Sequence, residues 1–300
     1  MTAVEVLDGR EAQVGKFTVR RVLPTRPLRT VGAWCFADHM GPAEVTETSG
    51  LDVGPHPHTG LQTVTWLMDG AALHKDSLGS EQLIRPGQLN LMTAGRGIVH
   101  AEEATGTYRG TLHGVQLWVA QPDAQRHGDP AFAHHAALPV VEHGAATATV
   151  LAGSFLDAVS PAAFVTDLLG LDMVVRPGST TLPLRRDFEH AVVALEGEVL
   201  VGGSVARPGQ IASLGTGREE AEIQAREGAR VLVLGGVPFP EKLFMWWNFV
   251  GRTREEVSGF FADWRDEGER FAAVDSTLAR IPAPAPPWEP AYAREVPPPA

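Results

Sequence analysis

The chain is poor in cysteine and in lysine. Cys35 is the only cysteine among 300 residues, so neither an intrachain disulfide nor a cluster of thiolate metal ligands can form. Lysine occurs only as Lys16, Lys75 and Lys242, no polybasic run is present, and the formal net charge is −11. Because nucleic-acid binders neutralise phosphates with clustered Lys and Arg, this charge pattern excludes a general nucleic-acid-binding protein.

Long apolar runs are also missing. No uninterrupted apolar segment approaches the roughly 20 residues that cross a bilayer. Residues 1–15 contain no apolar core of the kind found in secretory signals, and they carry the charged side chains of Glu5, Asp8, Arg10 and Glu11. We therefore expect a cytoplasmic protein without a membrane segment, and we expect a monomer.

Glycine and proline, by contrast, are abundant, with 32 and 23 residues. Such a composition is typical of many short strands joined by turns. Residues 61–68, 88–92 and 112–119 alternate or are rich in strand-forming residues, which predicts strands, whereas residues 38–42 (Asp-His-Met-Gly-Pro) predict a turn. No helix pattern interrupts the first half, so the fold is predicted to be all-β.

Two parts of the sequence repeat each other. Arg85-Pro-Gly-Gln88 returns as Arg207-Pro-Gly-Gln210, and Leu67-Met-Asp-Gly70 resembles Leu195-Glu-Gly197. The repeat predicts a duplicated all-β unit, with its boundary in the polar stretch 123–146. We divide the chain into a first domain, residues 1–130, and a second domain, residues 131–300.

A helix and a proline-rich tail close the second domain. Thr253-Arg-Glu-Glu256 is a capping-box pattern, and apolar residues follow at i, i+3, i+4 and i+7. We expect an amphipathic helix over residues 253–266 that packs on a core. Residues 282–287 and Pro297-Pro-Pro299 predict extended tail segments.

Two pairs of polar residues suggest a metal site. His56-Pro-His58 and His100-Ala-Glu102 each place two candidate ligands at i and i+2, which point to one face of a strand. The alternative is that they are scattered polar residues. Three imidazoles and a carboxylate suit Fe, Ni, Co, Cu, Zn or Mn, and the lack of thiolates disfavours a purely structural zinc site.

The repeat provides an internal control for this site. Counting from the repeated motifs places Pro183, Arg185, Glu222 and Gln224 at the positions of the four candidate ligands. None of these residues reproduces the ligand type at its position. We therefore expect one metal ion per chain, in the first domain only.

Long stretches of the chain resemble the pirin family, duplicated cupin proteins with an iron-binding N-terminal barrel. The resemblance is strong over residues 16–125 and weaker over 165–270. It is carried mainly by His56-Pro-His-Thr-Gly-Leu-Gln-Thr-Val-Thr-Trp66, His74-Lys-Asp-Ser-Leu-Gly79, Met92-Thr-Ala-Gly-Arg-Gly-Ile-Val-His-Ala-Glu102 and Leu112-His-Gly-Val-Gln-Leu-Trp-Val119. It implies an all-β fold of two tandem cupin (double-stranded β-helix, jelly-roll) barrels with a short C-terminal helix.

The resemblance also implies a ligand set and an activity. His56, His58, His100 and Glu102 would hold one Fe²⁺, while Gln62 stands where the family usually has Glu, a change expected to alter the charge of the pocket. Pirins are associated with the oxidative cleavage of flavonols such as quercetin by dioxygen. Glu102, the only carboxylate among the ligands, is the expected base for the substrate's enol proton.

Two other function classes stay open at this stage. One is a non-enzymatic, iron-binding, redox-sensitive regulator that acts through protein partners. The other is a cupin isomerase, or another zinc or nickel enzyme that acts on sugars or small acids. The last class ranks third because only Lys75, Arg85 and Arg96 offer cations near the histidine segments.

Several further residues have two interpretations. His113 and His39 either support the ligands or are ordinary core or surface histidines. Trp246 and Trp247 are expected to pack between domains, with a pocket role as the alternative. Glu103 should point away from Glu102, and His134 with His135 should be solvated in the connector.

Overall fold

The protein is described by a computed structural model that covers residues 3–15, 17–46, 51–104 and 108–289. Apart from one helix, the regular elements of these residues are strands, so the predicted all-β class is confirmed. Lys16 and the predicted tail segment Pro297–Pro299 lie outside the described residues. Across the part of the chain that is described, no helix is long and apolar enough to cross a membrane.

The strands are mostly short and pair antiparallel. Those of the first half are β1 (Glu5–Asp8), β2 (Arg10–Val14), β3 (Phe17–Leu23), β4 (Trp34–Val45), β5 (Val53–His58), β6 (Leu61–Asp69), β7 (Ala72–Asp76), β8 (Glu81–Ile84), β9 (Leu89–Thr93), β10 (Ile98–Glu103), β11 (Gly110–Ala120) and β12 (Ala131–His135). Those of the second half are β13 (Val140–His143), β14 (Ala146–Ala152), β15 (Ser154–Phe155), β16 (Ala158–Val159), β17 (Leu168–Val175), β18 (Gly178–Pro183), β19 (Glu189–Glu196), β20 (Val199–Val201), β21 (Ser204–Ala206), β22 (Gln210–Gly215), β23 (Glu220–Ala225), β24 (Ala229–Gly236), β25 (Phe244–Trp246) and β26 (Phe249–Gly251).

Each half forms a barrel from one large and one small sheet. The first barrel combines the order β12-β9-β6-β11-β4-β3-β2 with the order β5-β10-β7-β8. The second combines β1-β22-β19-β24-β17-β14-β13 with β18-β23-β20-β21. The two orders correspond strand for strand over the centre of each sheet, as a duplicated jelly roll requires.

Strand pairing crosses the proposed domain boundary in both directions. β1, from the chain's beginning, pairs with β22 of the second barrel, and β12, from beyond residue 130, pairs with β9 of the first. The segment around β26 also returns to the first barrel, where Phe249 bridges Thr59. The division at residue 130 stays a prediction, and the barrels exchange edge strands across it.

The repeated Arg-Pro-Gly-Gln motif forms the same turn in both barrels. In the first, the Arg85 N–H donates to Gln88 Oε1 at 3.0 Å; in the second, the Arg207 N–H donates to Gln210 Oε1 at 2.8 Å. The third residues, Gly87 and Gly209, have φ of 80° and 84°, a region that favours glycine and that a type II turn requires. The duplication therefore extends to side-chain hydrogen bonds.

The predicted turn at residues 38–42 is wrong. These residues lie inside the twelve-residue strand β4, which pairs with β3 and β11. The register shifts where Gly41 and Pro42 occur, because Met40 faces Gly114 while Ala43 faces Leu112. A bulge absorbs the turn-like residues without ending the strand.

The main apolar core lies between the two large sheets. Side chains of β6 and β11 meet those of β19 and β24 there, including Trp66, Leu117, Val193 and Leu232. Trp34 crosses this layer, and its indole N–H donates to the carbonyls of Leu169 and Gly235. A second apolar core fills the interior of the second barrel.

The predicted helix is confirmed as α1 (Arg254–Arg265). Thr253 is its N-cap, and the Thr253 hydroxyl accepts from the Glu256 N–H at 3.1 Å. The predicted apolar face is buried, so it packs on a core as expected; it comprises Val257, Phe260, Phe261 and Trp264. This core includes Val99 of β10, so the helix supports the first barrel.

Candidate metal centre

Two neighbouring strands bring the predicted histidines together. β5 and β10 pair antiparallel, with His100 opposite His56 and Ile98 opposite His58. Because i and i+2 share a face, His56 and His58 on one strand and His100 on the other point into the first barrel. The three rings are buried, and their ligand atoms all lie within 4.8 Å of one another.

The spacing of the histidine nitrogens fits one bound ion. His58 Nε2 lies 3.0 Å from His100 Nε2. Two imidazole nitrogens that each lie about 2.1 Å from one ion, at right angles, are about 3.0 Å apart. The cluster therefore suits a divalent transition metal without rearrangement of these two rings.

The backbone of β5 orients His56. Its Nδ1 lies 2.8 Å from the Gly54 carbonyl, so Nδ1 carries the hydrogen and Nε2 is left free as a ligand. A Cβ at position 54 would lie 2.0 Å from the Ala279 carbonyl oxygen, so only glycine fits here. The segment before the tail thus packs directly behind the cluster, and the Ile281 N–H donates to the Pro55 carbonyl at 2.9 Å.

Glu102 faces the same cavity but stands apart from the three rings. It is paired with Val53, because the register of β5 and β10 shifts between His100 and Glu102. Its carboxylate lies 3.5 Å from the Thr65 hydroxyl and is not part of the close histidine group. As a fourth ligand, Glu102 therefore stays a prediction.

Burial sets the protonation of these groups. It lowers the pKa of His56 to about 4, although the hydrogen bond to Gly54 acts against it. It also lowers the pKa of His58 and of His100 well below the ordinary value, and neighbouring imidazoles add to the effect. Burial raises the pKa of Glu102, against the influence of His74 and of Thr65. Near neutral pH the imidazoles are uncharged, which is the form that binds metals.

The cluster lies at the end of a cavity of about 300 Å³, which we call the histidine cavity. Its polar wall includes Asp38 and Gln116. Aromatic side chains also line it, among them Phe36 and Trp118, whose rings stack on each other at 4.0 Å with an interplanar angle of 11°. The Trp118 ring also meets His58 edge-on at 5.1 Å, so this aromatic lining leads directly to the cluster.

Comparisons with known proteins agree with this geometry. The profile of the Pirin family matches residues 16–119, and that of the Pirin C-terminal cupin domain matches residues 170–271. The chain belongs to the pirin family. Both barrels of this pirin are accordingly cupin barrels, as predicted.

Relatives of this pirin cover nearly its whole length. A Pseudomonas aeruginosa protein named "Putative quercetin 2,3-dioxygenase" is 46% identical, over 94% of this chain and 90% of the relative. A pirin-like protein of Caulobacter vibrioides is 38% identical, over 87% of this chain and 92% of the relative. The crystal structure of a quercetin 2,3-dioxygenase from Acinetobacter baumannii shares 43% identity and a TM-score of 0.92, covering 95% of this chain and 96% of that one.

Gln62, where this pirin departs from its family's pattern, does not line the histidine cavity. The expectation that it alters the charge of that pocket is wrong. Thr65 of β6 reaches Glu102, so its neighbours at even positions point to the opposite face. The Gln62 amide accordingly donates to Thr93 Oγ1 and, towards the other barrel, to the Ala163 carbonyl.

His39 and His113 also face the second barrel, so the suggestion that they support the ligands is wrong. Their Nε2 atoms lie 2.8 Å apart, and His113 Nδ1 lies 3.2 Å from Glu196 of β19. On the same two strands, the even positions Asp38 and Gln116 line the histidine cavity. The two histidines therefore belong to the contact between the barrels.

The tryptophan pair divides into two roles. Trp247 lines the histidine cavity, so the expected packing between domains is wrong for this residue. Trp246 packs instead against Trp288, with ring centroids 5.7 Å apart, and donates to the Pro284 carbonyl. Trp247 has φ of 50°, which is unusual for a non-glycine residue in a tight connection between β25 and β26.

Two other predictions concern residues close to the site. Glu103 points away from the cluster, as expected, and pairs with Lys75 at 3.3 Å. His134 and His135 are not solvated connector residues, because they lie in β12 and are half-buried. The ring of His134 contacts Asn90, with its Nδ1 2.7 Å from Asn90 Oδ1.

Sequence reasoning missed a polar pair behind the ligands. His74 and Asp76 of β7 lie opposite Glu102 and His100, and His74 Nε2 is 3.1 Å from Asp76 Oδ2. Burial acts to raise the pKa of Asp76, but hydrogen bonds from His74 and Ser80 outweigh it and lower the value. The i, i+2 spacing of this pair, within a recognised motif, was the available signal.

Proposed function

We propose that this pirin is an iron-dependent dioxygenase that cleaves the ring of a flavonol such as quercetin. One Fe²⁺ would be held by His56, His58, His100 and Glu102, and other divalent transition metals fit the same donor set. The observation that carries the proposal is the buried three-histidine cluster in the lining of a cavity that aromatic side chains also line. Two of its relatives are named as quercetin 2,3-dioxygenases, one of them as putative, which supports the same activity.

The histidines serve as neutral ligands. Because burial lowers their pKa, His56, His58 and His100 are deprotonated near neutral pH and need not release a proton to bind an ion. When bound, the iron supplies a Lewis acid and an electron-transfer centre for the substrate and dioxygen. Residues His56 and Gly54 fix one ligand nitrogen before binding occurs.

Glu102 is the proposed base for the substrate's enol proton. Its buried carboxylate has a raised pKa, which brings its basicity closer to that of an acidic enol. Thr65 lies 3.5 Å from Glu102 Oε1 and helps to orient the carboxylate. The proton taken from the enol stays on the Glu102 carboxyl group inside the cavity while the ring reacts.

The wall of the histidine cavity suits a planar substrate. Phe36 and Trp118, which stack on each other, give the cavity aromatic lining, and the Trp118 ring meets His58 edge-on. A volume of about 300 Å³ lies at the lower end of the range for small-molecule sites. Apolar side chains in the wall also keep bulk water away from the reacting groups.

The test is turnover of quercetin by iron-loaded protein. We expect loss of the flavonol's near-ultraviolet absorbance, with one dioxygen consumed per quercetin, and no reaction for the metal-free chain. Iron-loaded, reduced protein that leaves every flavonol intact would contradict the proposal and would favour the regulatory function. In that case redox sensitivity would reside in the iron, because burial raises the pKa of the Cys35 thiol to about 12 and keeps it protonated.

A further inference from the structure

A larger concavity adjoins the histidine cavity. Its volume is about 670 Å³, and it shares Arg21, Phe36, Trp118 and Trp247 with the smaller cavity. The rest of its wall comes from β1, β2, the loop that follows β3, and Met245 of β25. We call it the arginine cleft, defined by the side chains of Arg10, Arg21, Arg26 and Arg29.

The charge of this cleft is opposite to that of the whole protein. Four arginines line it against one carboxylate, Asp8, in a chain with 25 basic and 36 acidic residues. Asp8 Oδ1 accepts from Gln210 Nε2 at 2.7 Å. Within the described ranges, no carboxylate lies within ion-pair distance of Arg10, Arg26 or Arg29. Three guanidinium groups therefore remain available to an anionic ligand.

Arg21 forms the partition between the two cavities. Its guanidinium binds the Asp38 carboxylate through two hydrogen bonds of 2.7 Å and lies 4.3 Å from the centre of the Phe36 ring. Its charge is thus neutralised by Asp38, on the side of the histidine cavity. The remaining positive charge lies on the outer side, at Arg10, Arg26 and Arg29.

The loop that presents Arg26 and Arg29 is held by its own hydrogen bonds. The Thr25 N–H donates to the Leu28 carbonyl at 2.8 Å, and the Leu28 N–H donates to the Thr25 hydroxyl at 3.2 Å. These bonds fix the turn that separates the two arginines. A loop whose backbone is already fixed loses less conformational freedom when it binds a ligand.

We propose that the arginine cleft binds the carboxylate of an aromatic acid, whose ring lies along the Phe36–Trp118–Trp247 wall towards the histidine cavity. Planar guanidinium groups match carboxylates bidentately, and Phe36, Trp118 and Trp247, which line both cavities, offer aromatic surface for a ring to contact. That such an acid is the substrate rests on the dioxygenase proposal, whereas its binding does not. Quercetin has no carboxylate, so this substrate would be a different enolisable aromatic, with a carboxylate remote from the reacting oxygen.

The experiment measures the affinity of full-length protein for two matched probes, 2-naphthoate and its neutral analogue 2-naphthamide. Tryptophan fluorescence reports binding, because Trp118 and Trp247 line the shared wall. We expect the naphthoate to bind about tenfold more tightly than the amide, with an advantage that falls as salt is raised. Equal affinities would overturn the proposal.

Variants locate the charge. Arg26→Gln and Arg29→Gln should each weaken naphthoate binding about threefold, and together about tenfold, while naphthamide binding stays unchanged. Arg226→Gln is the matched control, since Arg226 is an exposed arginine of the second barrel outside the cleft. An equal loss in the control would show a general charge effect and would contradict the proposal.

A final arm separates this proposal from the proposed activity. Naphthoate binding should persist after the metal is removed with a chelator, because the carboxylate lies in the arginine cleft. If naphthoate binding is lost with the metal and is unchanged by Arg26→Gln, the carboxylate binds the ion. That result would contradict binding in the arginine cleft. If naphthoate binding is weakened by the arginine variants but the protein does not react with flavonols, the binding site in the arginine cleft is supported. Only the proposed dioxygenase activity is then contradicted.

Discussion

The two barrels share one architecture but differ in what fills them. Inside the first, β5 and β10 direct His56, His58 and His100 towards a cavity. Inside the second, the corresponding pair β18 and β23 directs Leu182 and Ile223 into a close-packed apolar core. The strand orders match, and so do the Arg-Pro-Gly-Gln turns. The scaffold therefore does not require the polar cluster, which is a local replacement of core residues.

The difference is costly for the first barrel. Buried imidazoles and a buried carboxylate lose hydration that aliphatic side chains never had, so the metal-free cluster carries an energetic penalty that Leu182 and Ile223, at the corresponding place in the second barrel, lack. Within the described residues, this cluster is the one group of three side chains that could together hold a metal ion. Polar burial of this kind is typical of functional sites.

Removing ligands from the first barrel should have the largest effect. We expect His58→Ala with His100→Ala to lower iron affinity by more than about 100-fold, since even outer-shell changes reach that range. A control change on the exposed face of the second barrel, Glu222→Ala with Gln224→Ala, should leave iron binding intact. Equal losses in the two double variants, measured by competition with a chelator, would remove the distinction between the barrels.

Glu102 should matter for turnover more than for metal retention. Glu102→Gln keeps an oxygen atom but loses the basic carboxylate, so quercetin turnover should fall roughly 10²–10⁴-fold while much of the iron remains. Glu103→Gln is the neighbouring control, because Glu103 faces away and pairs with Lys75. Full activity of Glu102→Gln, in a steady-state assay with measured iron content, would show that the base lies elsewhere.

Acid should destabilise both barrels through buried histidines outside the cluster. Burial lowers the pKa of His39, at the contact between barrels, and of His190, in the second barrel, to about 4 in each case. Between pH 6.5 and 4 the unfolded chain binds more protons at these sites than the folded one. The free energy of unfolding should therefore decrease as the pH is lowered from 6.5 to 4, by up to about 1.4 kcal/mol per pH unit for each histidine.

Chemical denaturation of metal-free protein at pH 7 and pH 5.5 measures this slope. His190→Leu should flatten it, because the His190 ring is buried and neither of its nitrogens has a partner among the described residues. A variant with an unchanged slope would contradict the assignment of this proton to His190. His143→Leu is the control, since His143 lies in the same barrel, is only half-buried and has its Nε2 2.8 Å from the Thr181 carbonyl oxygen.

The smallest expected effect distinguishes the two faces of β6. Thr65→Val removes the hydroxyl beside Glu102 and should lower turnover about fivefold, the value of roughly one hydrogen bond. Gln62→Ala, three residues earlier, acts on the opposite face and should change turnover less than about twofold. Steady-state rates of the two variants show which face of β6 affects turnover. A larger loss for Gln62→Ala than for Thr65→Val would show that Gln62 acts in the pocket.

The sequence was sufficient for the features that depend on local spacing. The i, i+2 spacing places His56 with His58 on one face of a strand. That β5 and β10 are neighbours was a condition of the predicted site, and the structure meets it. The helix follows from Thr253 as N-cap and from the spacing of Val257, Phe260 and Trp264. These patterns are short-range and need no knowledge of the remaining chain.

Which face of a strand lies inside is not a local property. Alternation predicted that Gln62 and His113 sit on strands, but the second barrel covers one face, and only tertiary packing decides which one. The same limit affected the count between repeats. Glu222 and Gln224 are exposed, whereas Ile223 between them is buried, so counting placed the ligand positions on the wrong face. An error of one residue in the count moves a position to the other face of the strand. A bulge in a strand introduces such an error.

Long-range pairing was also beyond prediction. Nothing in the composition of β1 or β12 indicates that each joins the more distant barrel. Trp247 reaches the histidine cavity only because β26 returns to bridge Thr59. Such contacts join residues far apart in sequence, and their partners appear only when the whole fold is assembled.

The most direct test of the difference between the barrels is the iron content of the full-length protein. The chain is loaded anaerobically with excess Fe²⁺, freed of unbound metal by gel filtration, and analysed for iron per chain. We predict one iron per chain, and none in the variant that carries His58→Ala with His100→Ala. Two irons per chain, or one iron retained by that variant, would contradict the assignment of a single metal centre to the first barrel.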